Sequence, residues 1–143
     1  MSTREEQNKA LIHQFADRIT AKDLEGALAF LSPNYVEHSA LPGMPAGAGA
    51  VRAFFSTLFA GFPDAHATIL DTIAEGDKVV LRASTEGTHT GPFMGIPPTG
   101  KRASWSFIDI SRIADGKIVE HWNETDQMGL MQQLGLVPPP QGR

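Results

Sequence analysis

The chain has 143 residues, no cysteine, and 12 Lys and Arg against 16 Asp and Glu, a net charge of -4. That length suits one domain burying roughly two thirds of its unfolded surface, and the acidic balance argues against nucleic acid as a partner. Disulfides, thiolate metal sites and cysteine nucleophiles are excluded.

The amino-terminal stretch MSTREEQNKALIHQF is charged from Arg4 onward and has no apolar signal-like run, and no segment is long enough to span a bilayer. The expectation is a soluble cytoplasmic protein. Ser2 or Thr3 followed by Glu5 or Glu6 makes a capping box for a first helix, with Leu11, Ile12, Phe15, Ala16 and Ile19 at helical spacing. A second, short helix is expected from Asp23 to about Leu31, stopped by Ser32-Pro33. After the small-residue loop PGMPAGAGA, Val51, Phe54, Phe55, Leu58 and Phe59 give a third helix one broad apolar face, to be buried against a sheet.

That sheet follows. Segments at 65 to 75, 78 to 90, 101 to 113 and 117 to 123 are rich in Val, Ile, Thr and aromatic residues, separated by EGD, GPFMGIPPTG and ADG. Short turns require antiparallel neighbours, and helices followed by strands indicate an α+β fold with the helices on one face of a curved sheet. A short last helix is expected from Thr125 to Leu134. One domain covers residues 1–137, and the Pro-rich tail 138–143 has little to pack with.

Familiar motifs fail on chemistry. GIPPTGKR has phosphate-loop spacing, but Arg102 stands where a metal-binding hydroxyl belongs and Pro97 and Pro98 lack the N–H groups that would cradle phosphate. GAGAVR lacks the third glycine and the preceding strand of a dinucleotide site, and neither GxSxG nor HExxH occurs.

What remains is a set of polar residues on strands. In RASWSFIDISRI, period two places Trp105, Phe107, Asp109 and Ser111 on one face and Ser106, Ile108, Ile110 and Arg112 on the other. In the next strand the same rule groups Val119, His121 and Asn123 against Ile118, Glu120 and Trp122. A tight turn at Ala114-Asp115-Gly116 would bring Asp109 within reach of the His121 and Asn123 face. The plainer alternatives are a solvated Asp109 and a packing histidine.

At these residues the chain resembles the SnoaL-like polyketide cyclases, the ester cyclase branch of the nuclear-transport-factor-2-like superfamily. The likeness covers the amino-terminal helices, YVEH, the HxGxFxGxPPTG loop, DGKIVEHW and the closing DxxGLMQQLG. It implies a cone-shaped fold, three helices packed on a strongly curved, mainly antiparallel sheet that encloses one apolar pocket. It also implies a small apolar carbonyl or ester substrate, aldol-type closure by acid/base catalysis without cofactor or metal, and a homodimer formed through the outer face of the sheet, where Ile108 and Ile110 lie.

The family's catalytic pair, a histidine on the penultimate strand and an aspartate on the last, falls on Asp109 and Asn123 here, so both positions depart from the pattern. An enzyme would then use Asp109 as acid/base, since an acid held among aromatics is moved toward neutrality by desolvation, with His121 and Asn123 orienting the substrate. His38 and His89 are expected at the pocket rim, Trp105 and Phe107 in its wall, and Asp126 either at the substrate or capping the last helix. The competing readings are a non-catalytic small-molecule-binding module, a small epoxide or ester hydrolase, and, less favoured, a metal triad of His38, His89 and His121.

Overall fold

The computed structural model describes residues 3–139. Its elements run α1 (Arg4–Thr20), α2 (Leu24–Leu28), β1 (Leu31–Glu37), α3 (Ala48–Gly61), β2 (His66–Glu75), β3 (Lys78–Thr88), β4 (Arg102–Ala114), β5 (Lys117–Thr125) and α4 (Gln127–Gln133). The strands form one curled sheet in the order β1-β5-β4-β3-β2, antiparallel except for the β1–β5 pair. This is the expected α+β architecture.

Local chemistry sets the helix starts. Thr3 and Glu6 close a reciprocal capping box on α1, 3.2 and 3.1 Å; Ser2, the other candidate cap, lies outside the described residues. Asp23 caps α2 by accepting from the Gly26 amide at 3.0 Å.

Helix α2 ends earlier than expected, at Leu28, because Leu31–Glu37 is a strand. The Ile118 amide donates to the Phe30 carbonyl at 2.8 Å, and Leu31, Val36 and Glu37 pair with Ile118, Glu120 and His121. Pro33 sits inside the irregularity between Leu31 and Val36 on this edge strand, where the missing N–H costs no ladder bond.

Asp115 and Gly116, at φ 52° and 71°, make the tight two-residue turn from β4 to β5. The turn fixes Asp109 opposite Asn123 and Ser111 opposite His121. One bulge changes the expected face pattern: Ile113 pairs with Ile118, but Arg112 pairs with Glu120, so Val119 is the extra residue. Ile118 therefore turns inward and is buried with Ile113, on the same side as His121 rather than opposite it.

Two clusters form the core. One gathers Ile12, Leu31, Tyr35, Val51, Val79, Leu81, Ile113 and Ile118; the other gathers Leu58, Phe62, Phe93, Trp105, Leu130 and Leu134 beneath α4. Val51 and Leu58 on α3 are buried as expected, but Phe54 is 42 % exposed and Phe55 and Phe59 only partly covered. All three rings line a cavity between α3 and the sheet, with Phe55 and Phe59 also packed against the edges of the two core clusters.

Candidate functional site

The cavity measures about 680 Å³ and lies between α1, α3, α4 and the concave face of the sheet. Its walls are mostly apolar: Phe54, Phe55 and Phe59 from α3, Trp105 and Phe107 from β4, and Met131 from α4. No lysine or arginine among the described residues lines it, whereas Asp109, Asn123, Glu37 and Ser39 do, from adjacent strands β4, β5 and β1 and the residues just after β1. An apolar chamber with a few convergent polar groups is the usual form of a small-molecule site.

The polar end is one continuous hydrogen-bonded network. The Asn123 side-chain amide donates to Asp109 Oδ1 at 2.6 Å, while Asn123 Oδ1 accepts from the Thr125 hydroxyl at 2.6 Å. His121 Nε2 lies 3.0 Å from the same Asp109 oxygen, and its Nδ1 lies 2.8 Å from both Glu37 oxygens. Glu37 also accepts from the Tyr35 hydroxyl at 2.7 Å and from the Ser39 amide at 3.2 Å. The Ser39 hydroxyl in turn accepts from the Asn123 backbone N–H at 2.7 Å.

Flanked by two carboxylates, the imidazole of His121 is held charged. Burial alone would lower its pKa, but the bonds from Asp109 and Glu37 raise it to about 10. The reciprocal effect acts on Glu37, whose burial is overcome by His121, Tyr35 and the Ser39 amide, so that its pKa falls below the usual carboxylate value. Tyr35 is pushed up, first by burial and then by bonding to an anion.

Asp109, Asn123, Trp105 and Phe107 thus converge on the cavity, while His121 reaches it only through Asp109 and Glu37. The expected rim placement of His38 and His89 is not found. His38 stacks on Trp122 at 4.7 Å and bonds Glu120 at 2.8 Å, away from the cavity, because the period-two alternation after the bulge turns Glu120 and Trp122 away from His121.

His89 is fully buried beneath the cavity, stacked on Phe62 at 5.1 Å and bonded to Thr99. The three histidines of the weighed metal triad have separate surroundings, and among the described residues no group of three His, Cys, Asp or Glu side chains could hold a metal ion. Asp126 caps α4, accepting from the Gly129 amide at 2.9 Å, and does not line the cavity.

Glu37, Tyr35 and Ser39 join the site from β1 and the residues after it, beyond those the β4 and β5 patterns point to. Once Leu31–Glu37 is taken as a strand, alternation puts Tyr35 and Glu37 on one face, so a period-two reading through Pro33 carries the signal.

Fold and cavity together define an α+β cone around one mostly apolar chamber with carboxylates at its polar end. Residues 10–134 match the SnoaL-like polyketide cyclase family, and the chain belongs to it. It is 35% identical over 117 residues to aklanonic acid methyl ester cyclase DnrD of Streptomyces peucetius, covering 80% of this chain and 79% of that one. It is 34% identical over 109 residues to nogalonic acid methyl ester cyclase of Streptomyces nogalater, covering 74% and 77%. Among solved structures, TsrD of Streptomyces laurentii superposes with a TM-score of 0.84 at 32% identity, over 96% of this chain and 100% of the other. AclR of Streptomyces galilaeus, provisionally assigned as a hydroxylase, gives 0.86 at 31% identity, over 96% and 87%. No helix among the described residues is long and apolar enough to cross a membrane.

Proposed function

We propose that the protein closes a ring in a neutral, largely apolar keto ester by an intramolecular aldol reaction, with Asp109 as the base. The observation that carries this reading is the Asp109 carboxylate at the polar end of an apolar chamber, one oxygen already bonded to Asn123 and ion-paired with His121. The second oxygen is then available to a substrate. Asp109 takes a proton from the carbon next to the ester carbonyl, and the enolate carbon attacks a ketone of the same molecule to form one C–C bond. The new alkoxide recovers the proton from Asp109, so nothing is oxidised and no group leaves.

Asn123 has a second amide hydrogen beyond the one given to Asp109, and Ser39 has a hydroxyl hydrogen; either serves the developing enolate oxygen. His121 has neither nitrogen free for substrate and acts through Asp109. A chamber lined by Glu37 and Asp109, with no lysine or arginine facing it among the described residues, disfavours a free carboxylate, and the curated relatives named above are methyl ester cyclases. The same reading includes a cytoplasmic homodimer joined through the outer sheet face, where Ile108 is 46 % exposed.

The test is proton abstraction itself. Deuterium exchange at the α-carbon of a naphthyl β-keto methyl ester should run above the buffer background with the native chain. It should fall by about 100-fold or more in Asp109→Asn with the fold intact, and the corresponding free acid should exchange more slowly than the ester. Undiminished exchange in Asp109→Asn would remove Asp109 as the base.

A further inference from the structure

We infer that Glu37 is a positioning residue of this site: seated on the edge strand directly beside His121, it holds the histidine as a cation turned toward Asp109, and so fixes which carboxylate oxygen is left for the substrate. The inference rests on Asp109 being the base, as proposed above, but its first readout does not.

The geometry comes from the backbone. Parallel pairing of β1 with β5 sets Glu37 beside His121 in register, and the His38 amide donating to the His121 carbonyl at 3.0 Å continues that pairing past the end of β1. Both Glu37 oxygens lie 2.8 Å from Nδ1. Glu37 is itself tied down by the Tyr35 hydroxyl and the Ser39 amide, and its side chain is 11% exposed. A carboxylate that merely lined the wall would need none of these three partners.

The consequence for Asp109 is directional. An imidazole with one carboxylate can turn or change tautomer; an imidazole gripped at Nδ1 by Glu37 must aim Nε2 elsewhere, and Asp109 Oδ1 lies there at 3.0 Å. With Asn123 also on Oδ1, the remaining oxygen is the one left for the substrate. The groups facing His121 are therefore Glu37 and Tyr35 from β1 and Asp109 from β4, with Ser111 opposite it in register. Glu37 supplies one of the two anions that keep the ring charged.

The experiment uses Glu37→Gln in the full chain, which keeps shape and hydrogen bonding but removes the charge. In the native protein, nitrogen-15 NMR of His121 should show both ring nitrogens protonated at pH 8. Loss of the charge should bring the His121 midpoint down by about one pH unit or more. In the exchange assay kcat should fall by about tenfold or more with KM little changed, and the alkaline limit of activity should move down with the histidine. Glu37→Asp, which keeps the charge on a shorter stem, should recover part of the loss.

A His121 midpoint and pH profile unchanged in Glu37→Gln would overturn the inference. A singly protonated ring at pH 8 in the native protein would overturn it too, and needs no variant to fold. Retained exchange in Asp109→Asn would instead sink the proposed reaction while leaving the Glu37–His121 measurement standing.

Discussion

Two histidines are largely enclosed by this fold and are treated in opposite ways. His121, on β5, has a carboxylate against each ring nitrogen and a side chain about 22% exposed at the polar end of the chamber. His89, just past β3, is 0% exposed and sits in an aromatic cluster, stacked on Phe62 and edge-on to Phe93. Its Nδ1 accepts from the Thr99 amide at 3.2 Å, which leaves the ring hydrogen on Nε2, and Nε2 finds no hydrogen-bond partner among the described residues. The difference teaches that two enclosed histidines can be held by opposite means, one by charge and one by aromatic packing. The first is built into an ionic network that faces a cavity, and the second braces the loop from Gly91 to Gly100 against the aromatic core.

The largest effect expected from breaking this contrast is at His121. His121→Leu leaves Glu37 and Asp109 side by side, mostly enclosed and without their cation, and removal of one member of such a cluster costs about 3–5 kcal/mol. Urea unfolding at neutral pH should show that loss. His121→Gln, which keeps a polar side chain between the two carboxylates, should lose less than His121→Leu. A loss under about 1 kcal/mol would show the network to be well solvated.

At the other region the vulnerable point is backbone, not charge. A Cβ on Gly91 would lie 2.0 Å from the Ala60 carbonyl oxygen, in a stretch where the Thr90 and Gly91 amides donate to the Gly61 carbonyl at 3.1 and 3.2 Å. Gly91→Ala must therefore break those bonds or shift the end of α3, and should lower stability by about 2 kcal/mol or more. Calorimetric melting checks this. An unchanged melting temperature would mean that the loop is free to move away from α3.

The pH dependence of stability follows from His121, and its sign is fixed by the direction of its shift. A folded-state pKa raised from 6.5 to about 10 gives a contribution fully present below about pH 6.5 and lost as pH rises through 10. Glu37, with its pKa lowered, contributes above the ordinary glutamate range and loses that contribution as pH falls through its folded value. The native chain should thus lose stability between neutral pH and pH 10, and His121→Leu should flatten that alkaline slope. A slope identical in the two proteins would assign it to other groups.

Much of this architecture is legible in the amino-acid sequence, and the gaps have identifiable causes. The four later strands and the pairing of Asp109 with Asn123 follow from alternation and the Asp115-Gly116 turn. Strand β1 is hidden because Ser32-Pro33 reads as a helix stop, and its pairing with β5 is a contact 84 residues apart at Glu37 and His121. With β1 goes Glu37, and with Glu37 goes the reason His121 is charged. The bulge at Val119 is equally silent, since period-two reading has no marker for one inserted residue. Phe54, Phe55 and Phe59 are recognisable as one helical face, but a pattern of apolar residues does not distinguish a face that meets a sheet from one that lines a hollow.

The smallest effect should come from giving His89 the substitution already used at His121. Leucine is close to histidine in volume, so His89→Leu neither opens a large cavity nor overfills the cluster around Phe62, Phe93 and Trp105. It removes the two bonds from Thr99, one from its amide and one from its hydroxyl, each worth about 0.5–1.5 kcal/mol, and the ring stacking, worth a similar amount. Against these it abolishes a buried donor that has no partner among the described residues, whose desolvation costs about 1–3 kcal/mol. The terms largely offset one another, so the net loss should be about 1 kcal/mol and α-carbon exchange should remain within a few-fold of the native rate, since His89 does not line the chamber. A loss as large as that of His121→Leu would show that the ring nitrogen beneath the cavity has a partner or a function after all, and the contrast between the two histidines would fail.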